Sequence, residues 1–239
     1  MTYAVSKIKF YKNLFSKTVL ELQKKNKILF LTTSNRWVGE KDAEQPKSTN
    51  LANKLAQILG DKAKIIEVDK LRIYTCEGNV SAGHGNNCGA TEAVLKDKEK
   101  NPSGCHRCWA SVNNPDDELW KISKELLNSD CVVFFGSVRW GQMNSIYQKL
   151  IERLTWLENR HSNLNENNIL KNIEAGIIAV GHNWHGDEII KTQRGVLDFF
   201  GFKVNKKLCW NWFYTKDAKD ETGESYIKAT ATFNETFFQ

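Results

Sequence analysis

The sequence predicts an α/β fold built on a doubly wound, five-stranded parallel sheet of order 2-1-3-4-5, and three observations lead to it. Short apolar runs alternate with stretches of helical spacing from residue 27 to residue 208. Strands that alternate with helices pair in parallel through right-handed crossovers. The chain has three prolines in 239 residues and no internal repeat, so no proline-rich linker divides it. The run Val132 to Arg153, VVFFGSVRWGQMNSIYQKLIER, passes from an apolar strand through a turn with glycine, arginine and tryptophan into an amphipathic helix. In open sheets of this kind ligands bind outside the carboxyl ends of the strands.

Residues 1–26 read as a basic amphipathic helix, with Ile8, Tyr11, Leu14, Phe15, Val19 and Leu22 at near-helical spacing. Up to residue 27 seven lysines stand against Glu21 alone, which accounts for the whole net charge of +6. The basic balance therefore belongs to this segment and not to a nucleic-acid groove across the body. A helix of this kind can touch membranes or acidic partners or serve as a targeting segment, and the expected role is to pack on its own domain or on a sister subunit. Lys27–Thr33 is the first strand, Ser48–Leu59 a helix stopped by Gly60, and Ala63–Val68 the second strand. A long insertion at 71–115 follows. Asp116–Leu127 is a helix with the acidic first turn that the helix dipole favours. Cys131–Phe135, Ala175–Val180 and Phe202–Leu208 supply the remaining strands, with helices at Ser145–Leu157 and Glu188–Phe200 between them. The main domain spans 27–212, and 213–239 is left as a C-terminal tail.

At 41% hydrophobic and 26% charged the chain matches a soluble globular protein. No run approaches the roughly 18 apolar residues of a membrane span, and the lysine-rich start lacks the apolar core of a secretory signal. Six cysteines in a chain of this size do not suggest a secreted disulfide framework. A cytoplasmic location is the expectation.

Two loops carry the chemistry. The first strand runs into Thr32-Thr33-Ser34-Asn35-Arg36, and Pro46-Lys47-Ser48-Thr49-Asn50 opens the following helix. Hydroxyls, an amide and backbone N–H groups at the positive end of a helix dipole bind a phosphate, and Lys47 or Arg36 adds charge. Taken alone, Ser48, Thr49 and Asn50 read first as plain N-capping, and the second loop on the same sheet edge is what favours a ligand. There is no GxGxxG and no GxxxxGK[ST], so neither a dinucleotide fingerprint nor a nucleotide-hydrolysing loop is present. At the second loop, Gly136 and Gly141 allow close approach of the backbone, and Trp140 offers a face for a planar ring.

Together these loops resemble the flavodoxin-like NAD(P)H-dependent FMN reductases, including the NAD(P)H:quinone oxidoreductase and iron–sulfur flavoprotein branches. Ser34-Asn35-Arg36 with Lys47-Ser48-Thr49-Asn50 is similar to the split FMN phosphate loop of that family. Gly136-Ser137-Val138-Arg139-Trp140-Gly141 is similar to its [ST]-P-x-Y-W-G loop beside the isoalloxazine, and Lys149-Leu150-Ile151-Glu152-Arg153 to its K-x-x-[ILF]-D-R helix. Gly181–Gly186, GHNWHG, lies where the family has a glycine-rich loop after strand four. Gly136, Ser137 and Arg139 replace the usual hydroxyl residue, proline and tyrosine, and the phosphate loop is longer than usual.

The resemblance implies FMN as cofactor and NAD(P)H as co-substrate. Hydride would reach the flavin, and electrons would pass on to a quinone, a flavin or another small acceptor. The implied FMN contacts are Ser34, Arg36, Lys47, Ser48, Thr49, Asn50, Gly136, Ser137, Val138, Arg139, Trp140, Gly141, Gln142 and His182. Arg139 and Trp140 are nearest the chemistry, Arg139 as the cation that favours the anionic reduced ring. Trp184 and His185 are further candidates for the wall of the site. A homodimer or homotetramer is also implied. The alternative is an electron carrier of flavodoxin or iron–sulfur flavoprotein type with no NAD(P)H reaction of its own.

Cys76, Cys88, Cys105 and Cys108 all fall in the insertion, spaced C-x₁₁-C-x₁₆-C-x₂-C. A C-x₂-C pair lets two thiolates face one ion. Four thiolates hold zinc or a [4Fe–4S] cluster, with His84 and His106 as further candidates. The insertion has few large apolar residues, so a staple would help to order it. The competing readings are a redox-active pair and unligated cysteines. Cys131 and Cys209 sit in apolar strand contexts and are read as buried and inert.

Overall fold

Five parallel strands form the sheet, because each apolar run is separated from the next by a helix long enough to cross back over it. In the computed structural model, which describes residues 3–36, 44–181, 185–215 and 217–239, these are β1 (Ile28–Thr32), β2 (Ala63–Glu67), β3 (Cys131–Arg139), β5 (Glu174–Val180) and β6 (Lys203–Trp212). Their order is β2-β1-β3-β5-β6. All four pairings are parallel, and this is the order expected from the sequence. A short strand β4 (Gln142–Met143) folds back antiparallel on the end of β3. The helices are α1 (Tyr3–Gln23), α2 (Lys47–Leu59), α3 (Trp109–Asn113), α4 (Leu119–Leu127), α5 (Ser145–Ser162), α6 (Gly186–Phe199) and α7 (Gly223–Phe237).

Alternation along the central strands divides the core. Val132 and Phe134 face the layer of α4, α5 and α6, while Cys131, Val133 and Phe135 face α1, α2 and α7. Residue i and residue i+1 of a strand point to opposite faces, so a strand covered on both sides reads as a continuous apolar run.

Helix α1 belongs to the fold. Tyr11 and Leu22 are buried, Tyr11 Oη donates to the Asn211 carbonyl at 3.1 Å, and Trp210 Nε1 donates to Thr18 Oγ1 at 3.0 Å. Its apolar stripe is spent on α7, α2 and β6. None of the described helices is long and apolar enough to cross a membrane.

Several segments differ from expectation. α4 starts at Leu119, so Asp116 and Asp117 precede it and its first turn carries no acidic residue. β3 runs to Arg139, because the chain reverses only at Trp140-Gly141, both at positive φ (51° and 73°). Two central residues at positive φ match the right-handed twist of a hairpin. β6 continues to Trp212, with an irregular register between Ala175 and Ile177. It is carried on by Trp210 and Trp212, which pack under α1 and α7. The segment read as a tail contains α7, opened by a reciprocal Thr222–Ser225 capping box and buried along Ala229, Phe233 and Phe237.

The insertion at 71–115 is largely irregular, with short 3₁₀ turns and α3, and a buried polar network orders it. The Arg153 guanidinium of α5 reaches both Asp117 oxygens (2.8 and 3.0 Å), Ser111 Oγ (2.9 Å) and the Tyr74 carbonyl (2.7 Å). Both side chains of the Arg153–Asp117 pair are fully buried. His106 spends its two ring nitrogens on Ser123 Oγ (2.8 Å) and Ser111 Oγ (2.9 Å), and Ser111 Oγ donates to Asp117 (2.7 Å). Asn159 of α5 also donates to the Cys88 carbonyl at 2.6 Å. One helix face thus holds the insertion through hydrogen bonds where apolar side chains are scarce.

Burial lowers the His106 pKa from 6.5 to about 4, which gives a pH test. The unfolded chain takes up this proton below about 6.5, while the folded chain resists it down to about 4. The contribution to stability is complete above pH 6.5 and is lost as pH falls through that window. Urea unfolding is expected to show wild type weakening between pH 7 and pH 5 more steeply than His106→Gln. An equal slope in both would contradict the assignment.

Candidate functional site

A cleft of about 320 Å³ opens at the carboxyl ends of β1, β3, β5 and β6. Its walls are Ser34, Asn35, Arg36, Pro46, Lys47 and Ser48 on one side, and Ser137–Trp140 with Val180 and Gly181 on another. Trp212, Glu221, Tyr226 and Ala229 close the third. Both loops singled out from the sequence meet here, at the place where an open parallel sheet accepts ligands.

The end at α2 is built for an anion. Ser48 and Thr49 lie within the first turn of α2, not at its cap. The cap position is Pro46, and no described side chain caps the helix. The N–H groups of a first turn have no partner within the helix, and Pro46 at the cap has no side-chain oxygen to meet them. Ser34 and Ser48 are buried, and their hydroxyls lie 2.7 Å apart. Lys47 is half-buried, and burial first, then the nearby Arg36 charge, pulls its pKa down. Arg36 donates to the Glu44 carbonyl at 3.1 Å. Two cations held together against their mutual repulsion at an uncapped helix start suit an anion with several oxygens. Thr49 and Asn50 do not line the cleft.

The turn between β3 and β4 forms the other end. Ser137, Val138, Arg139 and Trp140 line the cleft; Gly136, Gly141 and Gln142 do not. Trp140 is 90% exposed, so it is not a core residue. It is held at the rim by a left-handed backbone conformation that an aromatic residue rarely adopts. Gly136 serves packing, not ligand approach. A Cβ there would lie 2.8 Å from Asn144 Oδ1 and 2.9 Å from Thr33 Oγ1.

Sequence reasoning passed over Asn144. Its Oδ1 accepts from Ser137 N–H and Thr33 Oγ1 (both 3.1 Å), and its Nδ2 donates to the Thr33 carbonyl (2.8 Å). It therefore ties the end of β1, the end of β3 and the start of α5 into one frame under the cleft. Gly136→Ala is expected to cost about 1–3 kcal/mol by overpacking this frame, measured by chemical denaturation. Of the residues expected after strand four, Gly181 lines the cleft and His185 packs beside Gly141; His182 and Trp184 lie outside the described residues.

The third wall, from the presumed tail, was also missed. Tyr226 Oη donates to Glu221 Oε2 at 2.7 Å. That bond is the main reason the Tyr226 pKa is raised, while the Arg139 charge pulls the other way. The Glu221–Tyr226 pair and Arg139 therefore face one another across the cleft.

The four insertion cysteines are not brought together as a ligand set. Cys76, Cys88 and Cys108 line one small pocket beside Arg153, and Cys105 does not. No described group of His, Cys, Asp or Glu residues is arranged to hold a metal ion. Burial first, then the neighbouring Cys108 and Cys76, pushes the Cys88 thiol up to about 12. His106 is committed to two serines. The Arg153 network orders the insertion without a metal staple, and the described residues give the expectation of zinc or a cluster no support. All six cysteines are free, with Cys131 buried and Cys209 partly so.

No protein-family model matches the chain, and no curated protein sequence does. Among solved structures, RosB with bound 8-demethyl-8-formylriboflavin-5'-phosphate is similar at a TM-score of 0.57 and 16% identity, covering 89% of this chain and 75% of that one. The azoreductase AzrA is similar at 0.49 and 13%, covering 88% and 96%. A putative quinone reductase from Klebsiella pneumoniae is similar at 0.48 and 14%, covering 87% and 83%. The strand order and the first of these likenesses agree: the chain has the flavodoxin-like fold.

Proposed function

We propose that the protein is an FMN-dependent oxidoreductase that accepts hydride from NAD(P)H and passes electrons to a quinone, a free flavin or another small acceptor. The observation that carries this reading is the uncapped start of α2 with Ser34, Ser48, Arg36 and Lys47 at one end of a cleft whose other end holds Arg139 and Trp140. That pairing suits a flat ring with a phosphate tail. The shared fold with RosB, whose structure holds a riboflavin phosphate, supports it, as do the loop motifs.

FMN, when bound, supplies the hydride and electron chemistry. The residues of the chain do the rest. The first-turn N–H groups of α2 donate to the phosphate, and Arg36 and Lys47 offset its charge. Either hydroxyl of the Ser34–Ser48 pair can turn its proton outward while the other completes their bond. Arg139 places positive charge beside the ring, which favours the reduced, more negative form. Trp140 covers a ring face, and α7 limits the access of water from its side.

The test is anaerobic addition of NADH or NADPH to the FMN-loaded protein. Loss of the flavin absorption within seconds supports the reading. A flavin that stays oxidised with both nucleotides, yet is reduced by a protein donor, makes the protein an electron carrier instead.

A further inference from the structure

We propose that Glu221 is the residue that recognises an amide edge of a planar ligand in the cleft, accepting its N–H while Arg139 donates to the neighbouring carbonyl. This rests on the FMN reading above and adds to it a specificity residue from α7's lead-in segment. Glu221 lines the cleft. One carboxylate oxygen, Oε2, is taken by Tyr226 Oη at 2.7 Å. The other, Oε1, is shielded from solvent and has no hydrogen-bond partner among the described residues.

A shielded acceptor left without a partner is destabilising, and such a cost persists where a ligand relieves it. Oε1 can only accept while the group is ionised, so the missing partner is a donor. The same cleft carries Arg139, which can only donate. An acceptor and a donor that line one cleft, with an exposed tryptophan at its rim, match a flat group with N–H beside C=O.

Two ligands of the proposed reaction offer that edge. One is the pyrimidine edge of the flavin, through N3–H and its flanking carbonyls. The other is the carboxamide of a dihydronicotinamide. The chemistry is shared, and the test separates the sources. Binding of FMN and 3-methyl-FMN, and then of NADH and its 3-acetylpyridine analogue to the FMN-loaded protein, is measured for wild type and two variants. Glu221→Ala removes the acceptor. Glu221→Gln keeps the size and, with its amide oxygen held by Tyr226, turns an NH₂ towards the cleft.

The expected result is that wild type prefers the N–H-bearing member of one pair by about tenfold or more, and that both variants lose this preference. Loss in the flavin pair assigns Glu221 to the cofactor, and loss in the nicotinamide pair to the co-substrate. If wild type and variants discriminate both pairs alike, the proposal is overturned. If neither FMN nor its analogue binds any form, the FMN reading itself fails. Circular dichroism of the variants separates either result from misfolding.

Discussion

Arg153→Ala is expected to lose about 3–5 kcal/mol of stability, the usual cost of breaking a buried ion pair from one side. Arg153 and Asp117 have no side-chain exposure, and removing the guanidinium leaves Asp117, Ser111 and the Tyr74 carbonyl short of donors. The Asp117 carboxyl is now held below the usual range by Arg153 against the opposing effect of burial, which is the larger single influence. Without Arg153 that balance reverses. Equilibrium urea unfolding measures the loss, and limited proteolysis is expected to cut first within 71–115. Asp117→Ala should behave similarly, and the double variant should lose less than the sum of the two, because the pair acts as a unit. A loss below about 1 kcal/mol would show that the network does not order the insertion.

Lys47→Glu is expected to weaken FMN binding by about 100-fold, or close to 3 kcal/mol, while leaving the fold intact. The half-buried lysine stands in the first turn of α2 beside Arg36. A carboxylate there replaces attraction with repulsion at a phosphate. Yet acidic residues in a first turn favour the helix dipole, so folding is not penalised. That combination separates binding from stability. Flavin fluorescence titration reads the first and thermal unfolding the second. Unchanged affinity would remove the phosphate end from the account.

The strands and their order were readable because each buried strand is a continuous apolar run bounded by polar turns: ILFLT, CVVFF and AGIIAV need no tertiary knowledge. Ser34, Arg36, Lys47 and Ser48 were readable for a related reason. They flank a strand–helix junction, and that junction alone decides where they lie.

What escaped was set by contacts distant in sequence. β4 has two residues, and its Trp140-Gly141 turn lacks the usual Asn-Gly or Asp-Gly signature. α7 follows a charged stretch, although Ala229, Phe233 and Phe237 at four-residue spacing after Thr222–Ser225 were the available signal. Glu221 and Tyr226 reach the cleft only because α7 packs on α1 and β6, more than 80 residues from Arg139. The cysteine spacing was legible too. Which thiols meet was not, since that depends on how Arg153 and Asn159 of α5 gather the insertion.

The most direct measurement of the central claim is a parallel titration of the protein with FMN and with riboflavin, which differ only in the phosphate. FMN is expected to bind about 100-fold more tightly than riboflavin, with Lys47→Glu closing most of the gap. Equal affinity for both flavins, or no binding of either, would contradict it.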